Sequence, residues 1–189
     1  MRRLALALVG AALLVAGCTG KDAVDVNNGG EFRFVAGTPA GEVIPAKDRQ
    51  RAPEFGGQLL DGRTFSSAQL SGDVSVLNFW GSWCPPCRVE TPEFDQVYAQ
   101  VQGEGVQFLG INVKDDKQLA DAFLQSKAIS YPSLFDPRGE VALAFRDYPA
   151  NAIPSTIVLD RDGRVAAVYT AAVKPEDLRI VLDRVVKEG

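Results

Sequence analysis

The feature that most constrains the fold is the pentapeptide Trp83-Cys84-Pro85-Pro86-Cys87, which joins a predicted strand to a predicted helix. The strand is the apolar run from Val74 to Trp80, and apolar residues spaced i, i+3, i+4 and i+7 from Phe94 indicate the helix. A helix N-terminus offers free N–H groups and a partial positive charge, which favour a thiolate over a thiol. Cys84 is therefore placed as a nucleophile toward disulfides, and Cys87, one turn later, can attack a mixed disulfide formed at Cys84.

Other roles for the two cysteines fit the sequence less well. A structural disulfide between residues so close in the chain would constrain little of the unfolded state and would stabilise the fold only slightly. A zinc site needs about four ligands, and the chain has three cysteines and no histidine. A zinc or copper site made of cysteine and histidine alone is therefore excluded. The sequence predicts a redox-active dithiol that uses no metal and no other cofactor.

The N-terminus reads as an export signal. Two arginines after Met1 precede an uncharged apolar run from Leu4 to Ala16, which is shorter than the roughly 20 residues of a membrane span. The run ends in Val15-Ala16-Gly17-Cys18, which resembles a bacterial lipobox, whose cysteine is lipidated and becomes the mature N-terminus. An uncleaved anchor that contains a cysteine is the alternative. We predict lipidation at Cys18 and a membrane-anchored protein facing the extracytoplasmic side, which leaves Cys84 and Cys87 as one pair.

Composition fits one domain with additional segments. A hydrophobic content of 46% in 189 residues is enough for a core, and a net charge of −4 gives no electrostatic footprint for nucleic acid. We predict a signal peptide at residues 1–17, a tether with a small extension at 18–51 and a compact domain at 52–189. In the extension, Glu31 to Val35 and Glu42 to Ile44 are expected to form a hairpin, followed by a loose charged stretch from Pro45 to Arg51.

The compact domain shows alternating strand and helix patterns. This order favours parallel strand pairing through right-handed crossovers, with an antiparallel edge. The predicted elements are a hairpin (Phe55 to Leu60 and Arg63 to Phe65), a strand (Val74 to Trp80), a helix after Cys87, a strand (Val106 to Val113), a helix (Lys114 to Lys127), a strand (Ser133 to Phe135), a helix (Glu140 to Phe145), a hairpin (Thr156 to Leu159 and Val165 to Tyr169) and a helix from Pro175.

From about Ala52 onward the chain resembles the thioredoxin superfamily, and within it the TlpA/ResA/CcmG group of membrane-tethered thiol–disulfide oxidoreductases. The resemblance rests on APEF, LNFWGSWCPPCRVETP, GVQFLGINVKDD and AIPSTIVLDRDGRV. It implies a thioredoxin-like α/β fold, a central mixed sheet flanked by helices, with an N-terminal hairpin extension and a helix–strand insertion between Lys114 and Asn151. Peroxiredoxins share the fold but use a single peroxidatic cysteine, and WCPPC argues against them.

The resemblance also implies roles for single residues. Cys84 corresponds to the attacking thiol and Cys87 to the resolving thiol. Pro154 matches a cis-proline that lies against the dithiol and leaves the backbone of Ile153 free to pair with a substrate peptide; an ordinary trans-proline is the alternative. Further candidate substrate contacts are Trp83, Pro85 and Pro86.

An acidic residue completes the predicted site. Glu90 matches a glutamate that tunes the thiols in ResA-type enzymes, although the helix dipole alone would favour an acid there. General thioredoxins carry an aspartate six residues before the first cysteine, where this chain has Asn78. Because asparagine cannot shuttle a proton, Glu90 is the predicted acid–base group.

The predicted function is the reduction of protein disulfides outside the cytoplasm. By resemblance, the substrate would be apocytochrome c and the electrons would come from an integral-membrane thiol carrier. Two alternatives stay open at this point: an oxidant of secreted proteins that uses the same residues, and a peptide-binding module without turnover.

Overall fold

A five-stranded mixed sheet forms the centre of the domain in the computed structural model, which describes residues 41–188. The strands are β1 (Gly56–Gln58), β2 (Thr64–Ser66), β3 (Val74–Trp80), β4 (Val106–Val113), β5 (Ser133–Asp136), β6 (Ser155–Leu159) and β7 (Val165–Tyr169), and the helices are α1 (Pro85–Val101), α2 (Lys117–Ser126), α3 (Glu140–Ala144) and α4 (Pro175–Val186). The sheet order is β5-β4-β3-β6-β7, and β1 pairs with β2 in a separate hairpin. Strands β3, β4 and β5 run parallel, whereas β6 and β7 pair antiparallel. The predicted thioredoxin-like α/β fold, with its antiparallel edge, is confirmed.

Strand β3 lies at the middle of the sheet, and all seven of its residues are buried. Its side chains alternate between the two faces, as the pleat requires. Leu77 and Phe79 belong to one apolar cluster, and Val74 and Val76 belong to the other, which also contains residues of α1 and α4. The continuous apolar run is therefore explained by burial on both faces, which is typical of a central strand.

Helix α2 begins three residues later than the sequence pattern predicts. Asp116 is its N-cap, with a side chain that accepts hydrogen bonds from the N–H groups of Gln118 and Leu119. Lys114, predicted to be the first helical residue, instead has a φ of 51°. The left-handed turn ends β4 and moves the helix start to the residue whose side chain can satisfy its free N–H groups. The segment predicted as an insertion contains α2, β5 and α3.

Both edges of the central sheet are covered by other parts of the chain. At the β5 edge, Leu59 forms a bridge to Leu134, and the N–H of Leu60 donates to the carbonyl of Ser133. At the β7 edge, the N–H of Ile44 donates to Ala166. These contacts occupy part of each edge, which makes that part unavailable for pairing with another chain.

The stretch from Pro45 to Arg51, predicted to be loose, is packed against the domain, and that prediction is wrong. The Arg49 guanidinium is buried and bonds to Asp160 at 3.2 Å and to Glu188 at 2.5 Å. Its Nε also donates to the carbonyl of Ile44 at 2.9 Å. A buried arginine with three acceptors holds the segment to both the β6–β7 turn and the end of α4.

Several predictions fall on residues outside 41–188, namely the signal peptide, Cys18 and the strand from Glu31 to Val35. The other predicted strand of that hairpin, Glu42 to Ile44, has no strand assignment in the structure. Within the described residues, no helix is both long enough and apolar enough to cross a membrane.

Candidate active site

Two cysteines at the start of α1 form a disulfide. Cys84 is the N-cap of the helix, and the bond to Cys87 has an S–S distance of 2.02 Å and a Cα–Cα distance of 5.3 Å. Pro85 and Pro86 occupy the first helical positions and have no N–H to offer. The first N–H that reaches the Cys84 sulfur is that of Cys87, which donates to it at 3.3 Å. The strand–helix placement that the sequence predicts is confirmed.

The disulfide is shielded on its inner side. Cys84 is 3% exposed and Cys87 is fully buried, in an apolar cluster with Trp80 and Phe123. Ile153 is partly buried and packs against the same cluster. Cys84 is therefore the more accessible of the two residues, as is expected of the attacking cysteine of a dithiol.

The peptide bond between Ile153 and Pro154 is cis. This conformation is the one that the resemblance implies for the residue. Pro154 directly precedes β6, which pairs with β3, and β3 in turn leads to the WCPPC loop. The topology thus brings Ile153 and the two cysteines together from positions about 70 residues apart.

Glu90 lies beneath the dithiol on the buried face of α1, one turn after Cys87. It is 1% exposed. Its Oε2 accepts from Asn78 Nδ2 at 2.9 Å, and its Oε1 accepts from the N–H of Val173 at 2.7 Å. Burial raises the pKa of Glu90 to about 7, although the two hydrogen bonds act in the opposite direction. A carboxyl with this pKa can exchange a proton near neutral pH.

Trp83 is held in place although 56% of its surface is exposed. Its indole Nε1 donates to the carbonyl of Lys114 at 3.1 Å. A Cβ at position 81 would lie 2.7 Å from the same Nε1, so only glycine allows this close approach. The aromatic ring is thus a fixed surface beside Cys84 rather than a freely moving side chain.

The loop between β4 and α2 fixes the chain just before the dithiol. The Asp115 carboxylate accepts from the Ser82 N–H at 2.5 Å and from the Ser82 hydroxyl at 2.8 Å. It also accepts from Asn112 Nδ2 at 2.8 Å. Asp115 thus contacts Ser82, whereas Lys114 and Gly81 contact Trp83. We call these contacts together the loop clamp. Sequence analysis did not identify the loop clamp. It could have been expected because β3 and β4 are parallel neighbours, so the segments that follow them lie at the same edge of the sheet.

The one cation inside the first turn of α1 lies over an aromatic ring. Arg88 is exposed, and its guanidinium carbon lies 5.8 Å from the centre of the Phe123 ring. Its charge is therefore engaged by an aromatic face and by solvent.

Between residues 41 and 188, no group of three or more His, Cys, Asp or Glu side chains is arranged to hold a metal ion.

A strand-to-helix dithiol on this fold, with a cis-proline nearby and a buried acid beneath, defines a thiol–disulfide oxidoreductase of the thioredoxin type. The chain belongs to the AhpC/TSA family, whose profile matches residues 49–168.

Similar proteins narrow this assignment. The chain is 31% identical over 134 residues to the thiol-disulfide oxidoreductase ResA of Geobacillus thermodenitrificans (strain NG80-2), covering 71% of this chain and 75% of that protein. It is 31% identical over 131 residues to a thiol:disulfide interchange protein DsbE homolog of Paracoccus denitrificans (strain Pd 1222), covering 68% and 69%. The crystal structure of a secreted thiol-disulfide isomerase from Corynebacterium glutamicum superposes with a TM-score of 0.74 at 34% identity, covering 78% and 92%. The protein is an oxidoreductase of the ResA/DsbE type.

Proposed function

We propose that this protein reduces protein disulfides outside the cytoplasm, with Cys84 as the attacking thiol and Cys87 as the resolving thiol. The observation that supports this proposal best is the position of the dithiol at the start of α1, above a buried acid. The apocytochrome c substrate, with its paired cysteines, is proposed from the resemblance to the TlpA/ResA/CcmG group, as is electron supply from an integral-membrane thiol carrier.

The reaction transfers two electrons in two exchange steps. The Cys84 thiolate first attacks one sulfur of the substrate disulfide, and the electron pair of the broken bond leaves on the other substrate sulfur. Cys87 Sγ then bonds to Cys84 Sγ, which breaks the mixed disulfide and releases the second substrate thiolate. The proton of the Cys87 thiol passes to Glu90, one helical turn away on the same buried face. The substrate ends as a dithiol, and the enzyme ends as the disulfide of this structure.

The groups around the sulfurs support the proposed direction of electron flow. A strong oxidant stabilises its reduced thiolate heavily, with positive charge or several N–H donors near the sulfur. Here Pro85 and Pro86 remove two donors, and the Arg88 guanidinium lies over Phe123. An ionised Glu90 would oppose a second negative charge. These features disfavour the thiolate and therefore favour a reductant.

Substrate binding is proposed on the exposed side of the dithiol. Trp83, Pro85 and Pro86 are exposed there and offer apolar contact area. The backbone of Ile153, beside the cis-proline, would pair with an extended substrate segment. Lipid attachment at Cys18 would keep this surface at the extracytoplasmic side of the membrane, where a membrane carrier could reach it.

Trapping distinguishes the roles of the two cysteines. In Cys87→Ser the mixed disulfide cannot be resolved, so the reduced Cys84 thiolate should stay bound to a substrate such as an apocytochrome c peptide whose two cysteines form a disulfide, and the adduct should be visible on a non-reducing gel. Cys84→Ser is the matched control, with the same loss of one sulfur, and should trap nothing. The assignment is wrong if the two variants behave the other way round. If the reduced wild-type protein binds peptide but does not reduce insulin, the protein is instead a binding module without turnover.

A further inference from the structure

A fully buried polar group lies between α1 and the centre of the sheet. Asn78 and Thr156 are 0% exposed, and they face each other directly across β3 and β6. Asn78 Nδ2 donates to Glu90 Oε2 at 2.9 Å and to Thr156 Oγ1 at 3.3 Å. The amide thus connects the acid on α1 to the strand that begins directly after Pro154.

The other end of the Asn78 amide has no partner. Its Oδ1 is buried, and no hydrogen-bond donor reaches it within the described part of the chain. A buried acceptor without a donor costs free energy, which an apolar side chain at this position would avoid. Neighbouring β3 positions 76, 77 and 79 are filled by apolar side chains. Because this free energy cost is present, we infer that the amide has a function that an apolar side chain could not perform.

We propose that Asn78 and Thr156 form an adaptor that holds Glu90 in place in both of its protonation states. This inference rests on the proposed role of Glu90 as proton acceptor. A primary amide has an NH₂ donor and a carbonyl acceptor of nearly the same shape, so a half-turn about its last side-chain bond exchanges them. The amide thus presents its donor to a carboxylate and its acceptor to a protonated carboxyl.

The hydroxyl of Thr156 completes the exchange because it can accept or donate. In the present orientation it accepts from Asn78 Nδ2. After the half-turn it would donate to Oδ1, which would then lie where Nδ2 now lies, and the NH₂ group would take the buried position that Oδ1 now holds. The other carboxyl oxygen of Glu90 keeps the N–H of Val173 in both states.

The proton that this adaptor accommodates is the one of the resolving step. The S–H bond of Cys87 breaks as its sulfur bonds to Cys84, and an O–H bond forms at Glu90 Oε2. An aspartate at position 78 would set a second carboxylate against Glu90, and a leucine would offer neither donor nor acceptor. The aspartate of general thioredoxins, placed at position 78, would share a proton with Glu90. Asparagine avoids this and still offers a donor and an acceptor.

The hydrogen-bond donors to Glu90 are Asn78 Nδ2 and the N–H of Val173, and several titratable groups lie around them. On α1 these groups are Glu93, whose charge raises the pKa of Glu90, and the two cysteines. On the loop before β5 it is the phenol of Tyr131, which is affected by the Glu90 charge. On the loop before α4, Val173 contributes its N–H, and the neighbouring Lys174 is exposed.

The test is the pH dependence of kcat for reduction of a peptide disulfide, in Asn78→Leu, Glu90→Gln and the double variant. Glu90→Gln should remove the limb of the profile that belongs to Glu90. Asn78→Leu should move that limb about one pH unit higher, because the hydrogen bond that Asn78 makes to the charged carboxylate is stronger than the one that it makes to the protonated carboxyl. The double variant should match Glu90→Gln alone, since Asn78 acts through Glu90.

A second variant, Asn78→Asp, and a spectroscopic signal from the wild type test the proposal without depending on the folding of Asn78→Leu. Asn78→Asp has nearly the same shape, and it should move the limb in the same direction and further, because two carboxyls this close share a proton. In the oxidised wild type, the ¹⁵N signal of the Asn78 side-chain amide should titrate together with Glu90.

The possible failures are distinguishable. If Glu90→Gln leaves the profile unchanged, the proposed role of Glu90 and the adaptor both fail. If Glu90→Gln removes the limb while folded Asn78→Leu and Asn78→Asp leave it in place, the adaptor alone is wrong. An effect of Asn78→Leu that persists in the Glu90→Gln background also overturns the adaptor.

Discussion

At Glu90, burial and charge act against each other within a single residue. The carboxyl is 1% exposed, and its pKa is raised to about 7 by burial. Hydrogen bonds from Asn78 and Val173 offset part of that effect but do not cancel it. Sequence analysis identified Glu90 only through a family resemblance. The residues that set its protonation come from β3 and from the loop before α4, and their proximity cannot be read from spacing along the chain.

The raised pKa has a consequence for stability. Between the ordinary value of 4.5 and about 7, the native protein holds a proton at Glu90 that the unfolded chain releases. The contribution of Glu90 is therefore fully present below pH 4.5 and is lost as pH rises through 7, with a total change of about 3 kcal/mol. We expect Glu90→Gln to remove this part of the pH dependence.

Urea unfolding of the oxidised protein at pH 5 and pH 8 measures the effect without titrating thiols. The free energy of unfolding of Glu90→Gln minus that of the wild type should be larger at pH 8 than at pH 5, by about 2 to 3 kcal/mol. Glu93→Gln, on the same helix but less buried, is the control and should show a much smaller difference. Equal differences at both pH values would mean that Glu90 is ionised in the folded state throughout.

At the scale of elements, the long apolar strands are the most predictable parts of the chain. The bounds of β3, β4 and β7 are as the sequence predicts, because each is a largely apolar run that ends at polar or turn residues. The start of α2 was predicted three residues early, since Lys114, Asp115 and Asp116 are compatible with a helix by propensity. The roles of Lys114 and Asp115 depend on Trp83 and Ser82, more than 30 residues away, so local pattern could not reveal the loop clamp.

The loop clamp predicts a selective effect on protein substrates. Asp115→Ala removes the acceptor of the Ser82 N–H and hydroxyl, so Trp83 should lose its fixed orientation. We expect KM for a protein disulfide to rise about tenfold as preorganisation is lost, with little change for a small disulfide such as oxidised glutathione.

The adjacent residue provides the matched control for this prediction. Asp116→Ala removes the N-cap of α2 and should cost about 1 kcal/mol of stability without changing either KM. A KM that is unchanged in Asp115→Ala, or raised equally for both substrates, would contradict a substrate-positioning role of the clamp.

At the scale of the whole molecule, the sequence predicts the fold class but not how the chain covers its own sheet. The alternation of strands and helices was enough for the α/β architecture. The packed segment before Ala52 was missed because its charged composition hides one buried residue, Arg49, whose acceptors lie at Asp160 and Glu188. A buried arginine cannot be recognised from composition when its partners are more than 100 residues away.

Attachment to the membrane is a whole-molecule prediction that rests on sequence. Replacing Cys18 with Ala should release the protein from the membrane fraction or leave its precursor uncleaved, because stable attachment needs more than one acyl chain and no other anchor is proposed. Cys84→Ser, which also removes one cysteine, should remain in the membrane fraction. An unmodified Cys18 thiol in the mature protein, found by mass spectrometry, would rule lipidation out.

The central claim is that this dithiol is a reductant, and its midpoint potential tests that claim most directly. The few donors near Cys84, the engaged Arg88 and the buried Glu90 all disfavour the thiolate. Titration against dithiothreitol at pH 7 should therefore give a potential nearer to about −270 mV, as in thioredoxin, than to about −120 mV, as in a strong oxidant. A potential close to about −120 mV would contradict the reductase proposal and favour an oxidant of secreted proteins.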